Sequence, residues 1–314
     1  MIHAPVVLFV YNRPDHLKAT LASLKLNAGA EDTILYIFAE GPKPNAEKSV
    51  IDKIKQVRKI IHEISGFKEV IISESETNIG CATSMTTGIS KVVNLHGRVI
   101  ILEDDILTHP DFLQFCNKGL ELYENEEQVK QIGGFMFPSN SELPNVFFSK
   151  AVFCWGWATW KRAWDEMSMN AEKYLQEIKE RKLEKEFDLN GAYPYLSSLE
   201  KQVSGKIDAW DICWYSTIFL KDGLSVYPGK SMTKNIGMDG SGTHFKSNVQ
   251  NPIINFQVSG TRPKDFPQKI EFNEDIDKIV YRAVHNWISL PGKNKIIGKL
   301  GLLLNKIKKL KNTN

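Results

Sequence analysis

The stretch that decides the fold is Val99–Ile106, which reads V-I-I-L-E-D-D-I. Four aliphatic residues typical of a buried strand are followed directly by three acids, Glu103, Asp104 and Asp105. Because an unpaired buried carboxylate is costly, the acids are expected at the exit of the strand, in water or beside a cation. Two interpretations stay open: a divalent metal that holds a phosphate-bearing substrate, and a solvated acidic turn.

Strand and helix patterns alternate around this stretch through residues 1–135. Three further strands are expected, at Pro5–Val10, Thr33–Phe38 and Val70–Ser73. The helix patterns that separate the strands begin near Pro14, Val50, Gly80 and Pro110. This succession predicts an α/β fold with a mostly parallel sheet and helices on both faces. Ligands of such open sheets bind at the carboxyl ends of the strands, where the three acids are expected.

The composition is that of an ordinary globular protein, with 314 residues, 42% hydrophobic and 25% charged. A net charge of +3 gives no global basic field for binding nucleic acid. The four cysteines are scattered without a C-x-x-C pair, which predicts reduced thiols and a cytoplasmic protein. No apolar run approaches the roughly 20 residues of a membrane span.

The composition of the chain changes twice after residue 135. Residues 136–290 are rich in loop-like segments and tryptophans, and we expect them to form a second, acceptor-side half of the same domain. Residues 291–314 carry seven lysines, Lys293–Lys311, and no acid. Their Ile and Leu residues follow helical spacing, which predicts a basic amphipathic helix on an anionic membrane surface. The alternative is a helix packed on the domain with a solvated lysine face.

Polar residues follow the first two predicted strands and precede the third predicted helix. Tyr11-Asn12-Arg13 could stack on a base or bind a ribose, and Glu40 could accept from a ribose hydroxyl. Asn78-Ile79-Gly80 opens a helix that carries Ser84, and a helix N-terminus favours phosphate. Taken alone, each pattern is also typical of exposed turns and helix caps.

Two further constellations lie in the second half. Asp211 falls among apolar residues, where a raised pKa would suit a general base, although Asp208 fits a helix cap better. In addition, residues 208–220 are expected to form one buried helix, and residues 231–247 are expected to form a glycine-rich loop that could close over a ligand. His244 in that loop is a candidate metal ligand or phosphate donor, or else a solvated side chain.

The order of these motifs resembles that of the GT-A-fold, nucleotide-sugar-dependent glycosyltransferases. The similarity is closest to the inverting N-acetylglucosaminyltransferase I family, of which this chain would be a bacterial relative. That family carries Glu-Asp-Asp before Pro-Asp-Phe-Phe, a Gly-x-Gly-Trp segment, a Trp-Asp-Asp-Trp segment and a Phe-Gly…Gly…His loop. The resemblance covers about residues 4–246. Ala4–Leu24 resembles the opening strand and helix, and Asn78–Gly80 resembles the Asn-x-Gly helix start. The four segments above correspond to Glu103–Asp105 with Pro110–Phe112, Cys154–Trp157, Trp210–Ile212 and Ile236–His244. Asp211-Ile212 replaces the paired Asp of the family, which leaves the identity of the base open.

The resemblance implies a transferase, a hexosyl- or N-acetylhexosaminyl-transferase of surface polysaccharide or glycoconjugate synthesis. It implies a UDP-sugar donor, Mn²⁺ or Mg²⁺ at the DxD-type motif, held by Asp105 and His244, and inversion with Asp211 as base and Asp208 in reserve. The acceptor would be a glycan or a lipid-linked hydroxyl, reached from the inner face of the membrane. Donor contacts are expected from Tyr11, Asn12, Arg13, Glu40, Asn78, Gly80, Ser84, Glu103, Asp104 and Trp157.

Two alternatives to a glycosyltransferase stay open. A sugar nucleotidyltransferase uses a similar sheet, but it would want a glycine-rich, basic loop directly after the first strand, where this chain has Tyr11–Pro14. A non-catalytic sugar-binding or scaffold protein could also use the fold, because fold alone does not determine function.

Overall fold

The computed structural model of the chain describes residues 3–239 and 265–289. Its strands are β1 (Val6–Val10), β2 (Ile34–Ala39), β3 (Glu69–Glu74), β4 (Arg98–Glu103), β5 (Ile106–Thr108), β6 (Val129–Gly133), β7 (Val146–Ser149), β8 (Trp157–Trp160), β9 (Leu224–Pro228) and β10 (Thr233–Asn235). Its helices are α1 (Pro14–Lys25), α2 (Lys48–His62), α3 (Cys81–His96), α4 (Phe112–Leu122), α5 (Lys161–Trp164), α6 (Ala171–Glu180), α7 (Glu184–Phe187), α8 (Tyr195–Val203), α9 (Asp211–Leu220) and α10 (Glu274–Ile288).

Eight of the strands form one central sheet, in the order β3-β2-β1-β4-β8-β6-β9-β7. Parallel pairing joins β3, β2, β1 and β4, and it also joins β6 to β9. Only β8 and β7 run against the others, while β5 and β10 form a separate antiparallel pair. The α/β class with a mostly parallel sheet is therefore confirmed, and it is consistent with a Rossmann-like GT-A fold.

Both faces of the sheet are covered by helices, which explains why β1 and β4 read as continuous apolar runs. Leu8 and Leu102 are paired in register and face the core beneath α1, α2 and α4. Val99 and Ile101 face the opposite core, which α3, α9 and α10 cover. The next pair in the register after Leu8 and Leu102 is Phe9 with Glu103, so the apolar run ends where the acids begin.

A group of tryptophans fills the core between the sheet and α9. Trp157 has no exposed surface and stacks on Trp210 with 5.6 Å between ring centroids. Trp164 and Trp214 also pack against Trp157. The predicted role of Trp157 in donor binding is therefore wrong, because a fully buried side chain in the core presents no surface to a ligand.

The structure corrects several predicted elements. The buried helix begins at Asp211 rather than Asp208, and the predicted loop after Ser231 contains β10. The sequence patterns missed β5, β6, β7, β8 and α10. Both His244 and the lysine-rich segment 291–314 lie outside the described residues. All four cysteines are free, as predicted, and none of the helices within the described ranges is long and apolar enough to span a membrane.

Candidate active site

A cleft of about 380 Å³ opens at the carboxyl edge of β1 and β4, and its walls differ in chemistry. One wall is charged, and its residues are Arg13, Glu103, Asp105, Asp208 and Asp211. The other wall is largely aromatic and comes from the second half of the chain. The structure therefore brings five of the predicted site residues to one cleft, although they lie as far as 198 positions apart in the sequence, from 13 to 211.

Arg13 and Asp105 form an ion pair in the floor of the cleft. Arg13 precedes α1, and its Nη1 donates to Asp105 Oδ2 at 2.7 Å, with Asp104 Oδ1 at 3.9 Å. Burial disfavours the charge on Arg13, but the carboxylates of Asp104 and Asp105 outweigh burial and raise its pKa. Arg13 is therefore a fixed cation that offsets part of the negative charge of the cluster.

Asp104 ties the strand ends together rather than facing the cleft. It is 8% exposed, and its Oδ2 accepts from the backbone N–H of Tyr11 at 3.3 Å. The Asp104 carbonyl accepts from Thr20 Oγ1 at 2.8 Å. Burial and the charge of Asp105 raise the pKa of Asp104 to about 7. These contacts hold the loop between β1 and α1 in place beneath the cleft.

Glu103 lies among three other carboxylates that act on its charge. Burial, followed by the charges of Asp105, Asp104 and Asp211, raises the pKa of Glu103 to about 8. The influence of Asp211 shows that this carboxylate, which comes from α9, shares the electrostatic environment of the triplet. Excess buried negative charge of this kind is typical of sites that bind a cation or a proton-donating ligand.

Glu103→Gln is expected to raise the melting temperature of the metal-free protein. The unfolded glutamate ionises near its ordinary pKa, while the folded one resists ionisation up to about pH 8. Glu103 therefore destabilises the folded protein increasingly from about pH 4.5 to about pH 8. The difference in melting temperature between Glu103→Gln and the wild type grows over the same range. Thermal denaturation in chelator across this range checks the expectation. An advantage that shrinks as the pH rises contradicts it.

The two candidate bases occupy different positions. Asp211 is the first residue of α9 and is exposed at the cleft. Asp208 accepts from the backbone N–H of Ala82 at 3.3 Å, so it binds the first turn of α3. The prediction that Asp208 caps the helix it precedes is therefore wrong, since its contact is with another helix. The charge of Asp211 is one of those that raise the pKa of Glu103.

The other predicted donor residues lie around the carboxyl ends of β1 and β2, beside the cleft. Glu40 Oε2 accepts from the backbone N–H of Ile79 at 2.8 Å and so joins two neighbouring loops. Burial raises the pKa of Tyr11, and the nearby charge of Glu40 adds to the effect. These groups are placed to extend the cleft along the sheet edge, but they do not line it.

Three more predicted donor residues precede or open α3, and one lies before α1. Asn78 donates its backbone N–H to the carbonyl of Pro42, at 3.1 Å. Gly80 has φ +92°, a conformation that favours glycine, and its carbonyl accepts from the backbone N–H of Ser84. Ser84 itself is buried within α3, whereas Asn12 is half-buried in the turn that precedes Arg13.

The segment after β10 crosses directly over the Arg13–Asp105 pair. Ile236 donates its backbone N–H to the Asp105 carbonyl at 2.9 Å. A Cβ on Gly237 would lie 1.9 Å from Asp105 Oδ2 and 2.7 Å from Arg13 Nη1. Only glycine therefore lets the backbone pass this close to the pair. Ile236 and Gly237, from the start of the predicted glycine-rich loop, lie at the cleft floor beside Asp105.

The donor chemistry of the cleft fits a hard divalent cation only in part. Of the triplet, Glu103 and Asp105 line the cleft, and Asp105 already holds Arg13. Within the described ranges, no group of three or more His, Cys, Asp or Glu side chains is placed to hold a metal ion. Two carboxylates nevertheless suit Mg²⁺ or Mn²⁺ that completes its shell with water and substrate phosphates. Burial and then the neighbouring carboxylates raise the pKa of Glu103, and a bound cation relieves the second of these effects.

The sequence predicts that the tryptophan cluster between Trp155 and Trp164 is partly core and partly a platform for sugar rings, but it does not predict the other aromatic residues of this wall. Its members include Phe137, Phe153, Trp155, Tyr193 and Trp287. Trp287, near the end of α10, lies more than 180 positions beyond the acidic triplet in the sequence. The clustering of tryptophans was the one signal available, and it pointed to Trp157, which is in the core, as readily as to Trp155, which is at the cleft.

No family model and no curated protein matches the chain. Among solved structures, the crystal structure of S. aureus TarS is similar over 45% of this chain at 13% identity, with a TM-score of 0.29. The similar region spans 25% of that chain, so this protein matches about a quarter of the length of TarS. The function has to be inferred from the chemistry of the cleft itself.

Proposed function

We propose that the protein is a glycosyltransferase that moves a hexosyl or N-acetylhexosaminyl group from a nucleotide-sugar, a UDP-sugar, to an acceptor hydroxyl. The observation that carries the proposal is the placement of Glu103 and Asp105 in one cleft with Asp211. Carboxylates at the strand exit suit the diphosphate side of the reaction, and a carboxylate on a separate helix suits activation of the acceptor.

Each side chain has a proposed task. Asp211 accepts the proton of the acceptor hydroxyl as its oxygen bonds to the anomeric carbon, while the bond from that carbon to the diphosphate oxygen breaks. A single displacement of this kind inverts the anomeric centre. Arg13 holds Asp105 in position, and its charge favours binding of the anionic donor.

A divalent cation is part of the proposal. Asp105, with Glu103 beside it, would hold Mn²⁺ or Mg²⁺, which supplies charge neutralisation for the diphosphate and its departure. Asp105 Oδ2 accepts from Arg13, so the Asp105 carboxylate would serve the metal and Arg13 together. His244, which the resemblance implies as a second ligand, lies outside the described residues.

The nucleotide would lie along the carboxyl edge of the sheet. Tyr11 and Glu40 are placed at the ends of β1 and β2, where they would hold the base and ribose. Asn12, Asn78 and Gly80 are in the adjoining loops and could add backbone or amide contacts. Asp104 and Ser84 support the site from within the fold, because both are largely buried.

A nucleotidyltransferase is less well supported by the same edge of the sheet. Such an enzyme would need a glycine-rich, basic loop directly after β1. The segment there is Tyr11-Asn12-Arg13-Pro14, and its single basic side chain is bound to Asp105. A binding or scaffold protein without catalytic activity remains the other alternative, and donor turnover separates it from an enzyme.

Stabilisation by nucleotide tests the proposal. UDP with Mn²⁺ is expected to raise the melting temperature of the protein, because a ligand bound only by the folded state stabilises it. UDP in chelator should give a smaller rise, and ATP with Mn²⁺ serves as the matched nucleotide control. Equal melting temperatures with and without every nucleotide oppose the proposed donor site and favour a scaffold.

We also propose that the acceptor is a glycan or a lipid-linked hydroxyl compound. The protein would then act as a peripheral protein on the inner face of the membrane. Segment 291–314 supports this, because its seven lysines and regularly spaced Ile and Leu residues suit an anionic lipid surface. Flotation with vesicles of anionic lipid is expected for the whole chain and reduced for a chain ending at residue 290. Substitution of the seven lysines by Gln tests the charge alone. Equal flotation of all three proteins contradicts membrane association.

A further inference from the structure

The aromatic end of the cleft depends on α10, which is remote in sequence from the acids. Trp287 near the end of α10 lies 4.9 Å from Phe137 and 6.0 Å from Trp155, measured between ring centroids. Trp155 and Trp287 are both partly exposed and line the cleft. Two tryptophan rings from separate parts of the chain therefore meet at the aromatic end of the cleft.

The chemistry of this end is selective. Trp155, Tyr193, Tyr195 and Trp287 are each half-buried and offer ring surface, and the exposed carboxylates of Asp208 and Asp211 line the same cleft. Aromatic rings with carboxylates beside them suit a ligand that has an apolar face and a hydroxylated rim. A pyranose ring has that form, whereas a purely aliphatic chain makes no use of the polar groups.

The aromatic end is also close to the proposed base. Burial raises the pKa of Tyr193, and the charge of Asp211 raises it further. A ring bound against these aromatic side chains would lie beside the carboxylate that receives the acceptor proton. The location therefore suits the acceptor rather than the diphosphate of the donor.

A buried carboxylate fixes α10 in this position. Asp277 is 1% exposed and accepts from Ser149 Oγ at 2.5 Å and from the Lys150 N–H at 3.2 Å, at the end of β7. The Tyr281 hydroxyl, one turn further along α10, donates to Asp277 Oδ2 at 2.9 Å. The hydrogen bonds from Ser149 and Lys150 hold the helix against the sheet, and the one from Tyr281 lies within α10, so this buried group is satisfied and Trp287 has a defined place.

We infer that α10 completes an acceptor subsite in which Trp287 and Trp155 bind the apolar face of a pyranose ring. Trp287 is accordingly a specificity-determining residue, and Asp277 is a positioning residue. The identification of the bound sugar as the acceptor rests on the proposed function. Binding of a sugar ring at this end of the cleft does not depend on it.

Saturation-transfer NMR without donor or metal tests the subsite. The probes are the methyl pyranosides of glucose, galactose, mannose and N-acetylglucosamine, with geranyl phosphate as the alkyl probe. Irradiation of the aromatic protons should saturate ring C–H protons of at least one glycoside. Trp287→Leu is expected to lower that signal at least fivefold, since on the order of 1 kcal/mol of ring contact is lost, while Trp287→Phe retains most of it.

Phe272→Leu is the matched control, because Phe272 is an exposed aromatic residue that does not line the cleft. It should leave the glycoside signal unchanged. Trp155→Leu serves as the second variant, with circular dichroism to check folding. The inference is overturned if the wild-type protein saturates no glycoside, if it saturates geranyl phosphate alone, or if folded Trp287→Leu behaves as wild type. Glycoside saturation without stabilisation by UDP and Mn²⁺ supports the subsite while opposing the proposed transferase.

Discussion

Asp211→Asn is expected to lower the turnover number by about 10²–10⁴-fold, the usual contribution of a general base. The substitution keeps the size and shape of the side chain but removes its ability to accept the acceptor proton. Asp211 is exposed at the start of α9, so the change should cost little stability. Stabilisation by UDP and Mn²⁺ should persist, because the proposed donor contacts lie on other elements.

Asp208→Asn is the matched comparison for Asp211→Asn. Both residues line the cleft, but Asp208 is held by the N–H of Ala82, a contact that an asparagine oxygen can keep. A smaller loss is therefore expected for Asp208→Asn. The measurement is the turnover number of both variants at saturating donor, with folding checked by circular dichroism. A larger loss at Asp208 would transfer the role of base to it.

Asp105→Asn is expected to abolish metal-dependent donor binding and to lower turnover by on the order of 10²–10³-fold. A bound cation contributes several kcal/mol of charge stabilisation, and each 1.4 kcal/mol corresponds to a factor of ten. The variant also weakens the ion pair with Arg13, whose Nη1 lies 2.7 Å from Asp105 Oδ2. The variant thus loses the proposed cation site and also the contact that holds Arg13 in place.

The control for Asp105→Asn is Asp222→Asn. Asp222 is exposed, its partner is Lys150, and its φ of +50° is one that asparagine adopts readily. Turnover by Asp222→Asn should match that of the wild type. Titration with Mn²⁺ at fixed UDP, followed by calorimetry, separates lost cation binding from lost folding. If Asp105→Asn binds Mn²⁺ and turns over donor as the wild type does, the metal assignment fails.

The local patterns were sufficient for the parallel half of the sheet. The run Val99–Leu102 predicted β4 because a strand buried on both faces needs continuous aliphatic residues. The same run placed Glu103 at the strand exit, since an apolar strand cannot keep unpaired acids inside. Pro14 likewise marked the start of α1, where its missing N–H is harmless.

The second half of the site was not accessible from such patterns. Asp277 binds Ser149 across 128 positions, and no spacing along the chain reports a contact of that kind. Trp155 and Trp157 are two residues apart in the sequence, yet one lines the cleft and the other is in the core. Trp157 begins β8, whereas Trp155 lies before the strand and is separated from it by Gly156, which has φ +80°. Which face is buried depends on packing that only the folded structure shows.

The most direct test of the central claim is a turnover assay of the purified chain with a panel of nucleotide-sugars. We expect release of UDP from one UDP-sugar that requires Mn²⁺ or Mg²⁺, stops in chelator and returns when the metal is restored. Asp211→Asn and Asp105→Asn should both suppress this release. Absence of metal-dependent release from every nucleotide-sugar, or release that neither substitution changes, would contradict a glycosyltransferase site in this cleft.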